Sequence, residues 1–424
     1  MLSLLSLIID LIIMILGRDY GYTDLFANAT VIIFTFSFVF DITHSKMYRR
    51  YSGPIISGLI LRVLLLYYDV YSNDPFHLPL VGGPLTSDPL RFYNGALAFM
   101  DGSTDDYVGL FSQLFGTIFS LTGPSRLLGE FIVLLFSIGT IMALASILDC
   151  FDVEQTQRTK GMYLICLLPN YAFLSIIFRR ETIISFFIAI SIHYFIKWFA
   201  NDGGNKSYAL SIIYALVASL FHGATGMIVL SYLFVRLLYS PKNKRYMLDY
   251  RNVAGALFFV FIVMFIYVRF GSIFFEKVTR KLGRGALSSV RDAGGSSYAK
   301  YVGDANNPMR MILFAIPRFM YYLFSPFPWQ WRGMGDVITF LLSSCVYFMI
   351  MLNSVRYIQL AKKNDENRLL LIALFIIAVI ITSVFSWGVT NTGTATRHRD
   401  KFIALFITMY VLSNKAGLRI KRRI

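Results

Sequence analysis

Cysteine, histidine and acidic residues are scarce in this chain, and each shortage removes a class of function. Cys150, Cys166 and Cys345 are the only cysteines among 424 residues. They form no pair motif, so neither a disulfide framework nor a thiolate metal site is indicated. The five histidines, His44, His77, His193, His222 and His398, are scattered without metal-ligand spacing. No Walker loop, dinucleotide glycine fingerprint or zinc motif occurs, which argues against ATP hydrolysis within the chain. Asp105 and Asp106 are adjacent and not spaced as a metal-binding DxD. No metal or cofactor is expected. A soluble domain, a low-complexity tract, a long linker and a visible internal repeat are also missing. No secretory cleavage signal is evident, and the first apolar segment reads as a retained helix.

What the chain has is apolar residues. Hydrophobic types make up 56% and aromatics 16% of the sequence, with 39 Phe and 26 Tyr, and the mean hydropathy is +0.60. A soluble domain of this length cannot hide so much apolar surface, so the expected class is an all-α, polytopic integral membrane bundle. The aromatic load suits lipid contact and interfacial belts, which are structural features.

Apolar runs fall at 2–16, 25–42, 54–73, 107–121, 127–149, 162–178, 182–200, 208–221, 224–240, 253–270, 309–327, 336–353, 369–387 and 401–413, fourteen in all. Several are short against the ~20 residues that a spanning helix needs. Basic loops orient the chain. Segments 44–53, 241–251, 354–368 and 415–423 are rich in Lys and Arg and are expected in the cytoplasm. Seven runs separate the first pair of these loops and three the second, both odd. One run in each interval therefore fails to cross. The choices are 107–121, which is short and follows a polar loop, and 309–327, which holds Arg310, Pro317 and Arg318 and ends in SPFPW, where proline removes backbone donors. Both are expected as re-entrant or surface-lying helices on the outer face. That leaves about 12 transmembrane helices (range 11–14) with both termini cytoplasmic, in a single transmembrane domain over 1–424. Loop 74–106 and the basic loop 271–308 become external, together with Arg179–Glu181, His222, the 328–335 turn and the 388–400 loop.

The net charge is +16, from 40 basic and 24 acidic residues. Cytoplasmic loops absorb most of that excess. The remainder is arginine where a membrane protein least tolerates it: Arg91, Arg179, Arg180, Arg310, Arg318, Arg332, Arg397 and Arg399 interrupt or flank the apolar runs. A cation in a bilayer costs at least a few kcal/mol and is retained for a partner or a pathway. Guanidinium suits phosphate best, so a site for an anion is expected, with nucleic acid an implausible partner for so apolar a chain.

Five clusters carry candidate chemistry. In 82–102, Asp88 and Arg91 lie three apart, followed by Tyr93 and Asn94. An ordinary helix start with Ser87 or Asp88 as cap and Pro89 in the first turn explains them, as does a carboxylate and arginine beside a lipid-linked sugar. In IIFRRETIISFF, Arg179, Arg180 and Glu181 sit between two apolar runs, either as a salt-bridged turn or as an anion site at a helix N-terminus, with Glu181 as a general base. His222 in SLFHGATGM is a structural hydrogen-bonder or an acid/base. Loop 271–308 carries Lys277, Arg280, Lys281, Arg284, Arg291 and Lys300 against Glu276, Asp292 and Asp304. Its glycines and serines read as solvated loop or mobile lid. In 317–336 and 390–402, Trp329 and Trp331 stand beside Arg332, and Arg397, His398 and Arg399 precede the last run. The tryptophans are belt residues or sugar-stacking platforms. Binding roles fall to Arg91, Arg179, Arg180, Arg284, Arg310, Arg318, Trp329, Arg332, Arg397 and Arg399, and the base is Glu181, Asp88 or His222.

The order DPLRFYNGALAF, FRRETIISFFIAISIHYFIKWF, LFHG and PRFMYYLFSPFPW resembles the Wzy-like polymerases of bacterial surface-polysaccharide (O-antigen and capsule) clusters. It runs from Asp88 to Trp331. The resemblance implies a multi-pass enzyme of the bacterial cytoplasmic (inner) membrane. Such an enzyme joins oligosaccharide repeat units carried on undecaprenyl pyrophosphate at the outer face, without a metal, with membrane lipid around it and a chain-length regulator protein as a partner. Two other classes compete: a flippase or transporter of lipid-linked oligosaccharide, which predicts internal pseudosymmetry, and another membrane glycosyltransferase using a lipid-phosphate sugar with Asp88 or Asp101 as base.

Overall fold

Long stretches of Leu, Ile, Phe and Val produce a helical protein, as expected. The computed structural model describes residues 2–72, 88–103, 109–247, 249–255, 258, 297–302 and 308–414. Among the described residues, six helical segments are long and apolar enough to cross a membrane: Thr23–His44, Arg49–Tyr71, Arg126–Leu148, Glu181–Phe199, Met334–Leu360 and Glu366–Gly388. Leu2–Leu16, Leu110–Thr122, Gly223–Leu238, Leu313–Phe324 and Ile403–Ser413 are shorter apolar helices. The chain divides into two compact units. The first is Met1–His193, Val217–Gly223 and Asp400–Val411; the second is Tyr194–Leu216, Ala224–Arg399 and Leu412–Ile424.

In the first unit, α1 (Leu2–Leu16) packs on α2 (Thr23–His44), and α3 (Ser52–Tyr71) packs on α6 (Arg126–Leu148) and α7 (Gln155–Leu167). Helices α4 (Asp88–Met100) and α5 (Leu110–Thr122) pack as a pair. Gly116 permits that approach: a Cβ there would sit 2.7 Å from the Ala96 carbonyl. Within run 107–121 the described helix is Leu110–Thr122, 13 residues long and among the shorter apolar helices.

Run 162–178 is not one helix. It stops at α7, restarts as the short α8 (Pro169–Leu174) and then unwinds before α9 (Glu181–Phe199), because Pro169 has no N–H to continue the ladder. Helix α10 (Gly204–Phe221) follows, and its last turn, with His222 after it, belongs to the first unit.

The second unit contains α11 (Met227–Leu238), a short hairpin that pairs Tyr239 with Tyr246, the single turn α12 (Ala299–Val302) and α13 (Pro308–Phe324). Helix α13 continues through Pro317 and stops before Pro326, so only the later prolines end it. Beyond it come α14 (Met334–Thr339), a π-helical turn at Phe340–Ser344, α15 (Cys345–Leu360) and α16 (Glu366–Gly388). The 388–400 segment, expected as a loop, is largely helical. It forms α17 (Thr392–Asp400), with the Asn391 side chain accepting from the Gly393 and Thr394 amides. Of loop 271–308, only 297–302 and the first residue of α13 are described; Arg284 lies outside the described residues. Ser297 bridges Asn391, and the Tyr298 amide donates to the Thr390 carbonyl at 2.8 Å. The last helix, α18 (Ile403–Ser413), belongs mostly to the first unit.

Buried charge marks both units. Arg126 joins the Asp69 and Glu130 carboxylates, with Glu130 at 2.8 Å; both acids are buried. Arg62 is 0% exposed, and its hydrogen-bond partners are uncharged. It donates to the hydroxyls of Ser137 and Ser175 at 2.9 and 3.0 Å and to the carbonyls of Gly58, Cys166 and Ile165 at 3.1, 2.8 and 3.4 Å. Cys166 and Ile165 belong to the last turn of α7, whose carbonyls lack helical partners. The negative end of the helix dipole favours a cation there.

Candidate functional site

The segment between α8 and α9 is the best-built polar feature of the first unit. Its anchor is Phe178, 2% exposed. Its ring meets Phe115 at 4.6 Å, Phe111 at 5.0 Å, Tyr93 at 5.6 Å and Phe119 at 6.3 Å. Gly129 leaves room for the ring, since a Cβ there would come within 2.6 Å of it. An aromatic cage from α4 and α5 thus fixes an unwound stretch of backbone, and the next three residues are Arg179, Arg180 and Glu181.

Arg179 is 1% exposed. Arg180 donates to the Phe221 carbonyl at 3.0 Å and lies over the Phe92 ring of α4 at 5.5 Å. Glu181 opens α9, where the free amides and helix dipole favour an acid. Lys401 is buried, and its Nζ lies 3.9 Å from Glu181 Oε1. His222, directly after Phe221, shares this environment. Burial pushes its pKa down to about 3, helped by the positive charges of Lys401 and Arg180 and opposed by Glu181. The imidazole is therefore neutral across the physiological range and a poor base. Arg180, Glu181 and His222, read as two separate clusters in the sequence, lie close together with Lys401, and Arg179 is buried next to them in the chain. Lys401 is the member that the pattern misses, although it stands two residues after Arg399. Asp88 lies in the first turn of α4, four residues before Phe92, and Arg91 is exposed on the same helix. The link from α4 to the cationic segment runs through Phe92 and Tyr93.

The second unit holds the other arginines. Arg399 is 1% exposed. Its terminal nitrogens donate to the carbonyls of Leu323 and Ser325 at 2.7 and 3.2 Å and to the hydroxyls of Ser343, Ser344 and Thr396 at 3.1, 3.3 and 3.2 Å. The π-helical turn sets both serines on one guanidinium. Arg399 thus caps the end of α13 as Arg62 caps α7. Arg318 is 1% exposed and lies 4.7 Å over the Trp387 ring. Tyr298 is buried in the field of Arg318 and Arg399, and burial raises its pKa despite them. Arg397 is half-buried and reaches the Thr394 hydroxyl at 3.3 Å. Arg332 is exposed and binds Asp336 at 3.3 Å, and Arg310 is exposed.

An aromatic platform lies in the same unit. Trp329, 61% exposed, stacks on Phe327 at 4.8 Å with 4° between planes and donates from Nε1 to the Tyr321 hydroxyl at 3.1 Å. Tyr321 stacks in turn on Tyr301 at 5.3 Å. Among the described residues no group of three or more His, Cys, Asp or Glu could hold a metal ion.

No family model, curated protein or solved structure matches this chain.

Proposed function

We propose that this chain is a membrane glycosyltransferase of the polymerase type. It joins oligosaccharide repeat units carried on undecaprenyl pyrophosphate at the outer face of a bacterial cytoplasmic membrane, in a bundle of about twelve crossings. The observation that carries the reading is the Arg179–Arg180–Glu181 segment, held by an aromatic cage, with buried Lys401 3.9 Å from the Glu181 carboxylate. The excess positive charge suits an anionic group with at least two negative charges, and guanidinium gives it paired donors.

In the proposed reaction, the Glu181 carboxylate takes the proton of the acceptor hydroxyl. The hydroxyl oxygen bonds to the anomeric carbon of the donor chain. The bond from that carbon to the pyrophosphate oxygen breaks, and the diphosphate leaves with its charge matched by Arg179, Arg180 and Lys401. Charges fixed before the reaction need no reorganisation as the leaving group develops. His222, kept neutral, serves as a hydrogen-bonding partner for a sugar hydroxyl. In the second unit, Arg318 and the Trp329–Tyr321 platform are assigned to substrate recognition, since an exposed aromatic face stacks on a pyranose ring.

The test is reconstitution of the purified protein in liposomes with lipid-linked repeat units, reading products on a gel. A polymer ladder is expected, and Arg180→Ala and Glu181→Gln each reduce its rate by roughly a hundredfold or more. Translocated single units without a ladder would make the chain a flippase; single-sugar addition would make it another lipid-phosphate-sugar transferase. Normal ladders from Arg179→Ala and Arg180→Ala would remove the phosphate site.

A further inference from the structure

Asp69 near the end of α3 and Glu130 in the second turn of α6 are 4% and 1% exposed. Arg126 joins them. Its Nε lies 2.8 Å from Glu130 Oε1, and its Nη2 is on Asp69 Oδ2. Among the described residues it is the one cation in salt-bridge contact with either acid. Two carboxylates against one guanidinium leave one negative charge uncompensated, and an unpaired charge shut away from water is strongly disfavoured.

The geometry narrows what removes that charge. The two carboxyl groups lie within hydrogen-bond reach of each other, yet an ionised carboxylate only accepts. Glu130 Oε2 is buried and has no donor among the described residues. A proton on one acid makes the pair a donor and an acceptor, and it removes the surplus charge in the same step. Carboxyl groups crowded into one site hold a proton between them for this reason.

The neighbouring elements bring no second cation to the pair. Arg62, two turns before Asp69 on α3, spends its donors on hydroxyls and carbonyls. Helix α7 packs on both α3 and α6, but its Arg158 pairs with Asp149 at the opposite end of α6, and its Lys160 is exposed. Tyr93 of α4 lies in the field of Arg126, Glu130 and Asp24. Asp24 is exposed at the start of α2 and adds only negative charge.

We infer that Asp69, Glu130 and Arg126 form a proton-binding site in which the two carboxyl groups share one proton at neutral pH. The ligand is the proton itself, and binding it makes the cluster neutral. The Arg126 side chain, 41% exposed, is the open side of the site, and the carboxyl groups are the closed side. The inference stands apart from the Glu181 segment and does not rest on the polymerase reading.

The experiment is infrared spectroscopy of the full chain in detergent at pH 7, with the side-chain carboxyl carbons of Asp and Glu isotopically labelled so that their bands can be assigned. The wild type is expected to show the carbonyl band of a protonated carboxyl group. Glu130→Gln and Asp69→Asn should each lose one carboxyl's worth of that band, and the double variant should lose no more than either. With one acid gone, the other ionises against Arg126. Each amide matches its acid in shape and donates in the proton's place, so the fold is retained. No protonated-carboxyl band in the wild type would overturn the inference without recourse to a variant. A band that survives in both single variants would overturn it as well. Loss in only one of them would place the proton on that acid alone and refute the sharing. The second measurement is the melting temperature of the wild type in sodium chloride against choline chloride, expected to be equal. Stabilisation by sodium that both variants lack would make the cluster a site for a small metal cation, and the proton reading would fall.

Discussion

Acidification should destabilise this protein through His222, and the size of the effect follows from its surroundings. An exposed imidazole titrates near 6.5, whereas burial beside Lys401 and Arg180 brings His222 down to about 3. Between those values the unfolded chain binds a proton that the folded chain refuses. Stability is therefore full above about pH 6.5 and falls as the pH drops towards 3. Each pH unit in that window costs ~1.36 kcal/mol. The ceiling from pH 6.5 to 4 is thus roughly 3 kcal/mol, reduced by the ring's partial exposure and by Glu181. A chain of this length has an unfolding entropy of ~0.9 kcal/mol/K if it follows the globular per-residue average, so the melting temperature drops by about 2–4 °C. The assay is thermal unfolding of detergent-purified protein from pH 7 to 4, wild type against His222→Gln. The variant has nothing to protonate at this position and should show a flatter slope over that window. Equal slopes in the two proteins would refute the reasoning. Lys401→Met supplies the second check: removing one cation raises the His222 pKa, so the variant begins to lose stability at the same pH as wild type but levels off earlier.

Three further outcomes are expected. Phe178→Ala should lower stability by about 3–5 kcal/mol, as deleting a buried ring leaves a cavity, and should abolish lipid diphosphate binding measured by native mass spectrometry because Arg179 and Arg180 lose their anchor. Arg399→Leu strands the Leu323 carbonyl at about 1–3 kcal/mol, while the Ser344 hydroxyl still donates to the Ser325 carbonyl at 2.6 Å; Arg399→Lys recovers part of that deficit, both read by thermal unfolding. Trp329→Ala, at an exposed position, should leave the melting temperature within about 1 °C while raising the KM for lipid-linked oligosaccharide in reconstituted protein.

The helical class was legible because apolar residues dominate over long windows. That run 107–121 holds only a short helix, Leu110–Thr122, was legible from its length and the polar loop before it. The break inside 162–178 was less so: Pro169 is visible, but a continuous apolar run hides an interruption that only the backbone hydrogen bonds reveal. The Arg179–Arg180–Glu181 grouping was readable from adjacency. Its positive partner Lys401 was not, because it comes from a stretch more than two hundred residues away in sequence, and hydropathy carries no long-range pairing. Asp69 with Arg126 and Glu130 escaped for the same reason, although the i, i+4 spacing of the latter two was a local signal.

Arginine identity alone does not separate a ligand site from a structural clamp. Arg62 and Arg399 are both buried, and their partners in the structure include hydroxyls and carbonyls at the ends of two helices, α7 before Pro169 and α13 before Pro326. A cation there replaces the missing backbone amides and meets the negative end of a helix dipole. Arg180 stands at the opposite pole, at the start of α9, where free amides attract anions and a guanidinium adds to the same field. Arg62 and Arg399 spend several donors on protein oxygens and hold broken helices together, whereas the one printed hydrogen bond of Arg180 goes to the carbonyl of Phe221, the last residue of α10, and its backbone stands at the start of α9. The two classes respond differently to substitution. Replacing Arg62 or Arg399 should shift the melting temperature with lipid diphosphate absent, and replacing Arg180 should shift chiefly the stabilisation that added lipid diphosphate confers. The reverse pattern would assign the anion site to the wrong helix ends.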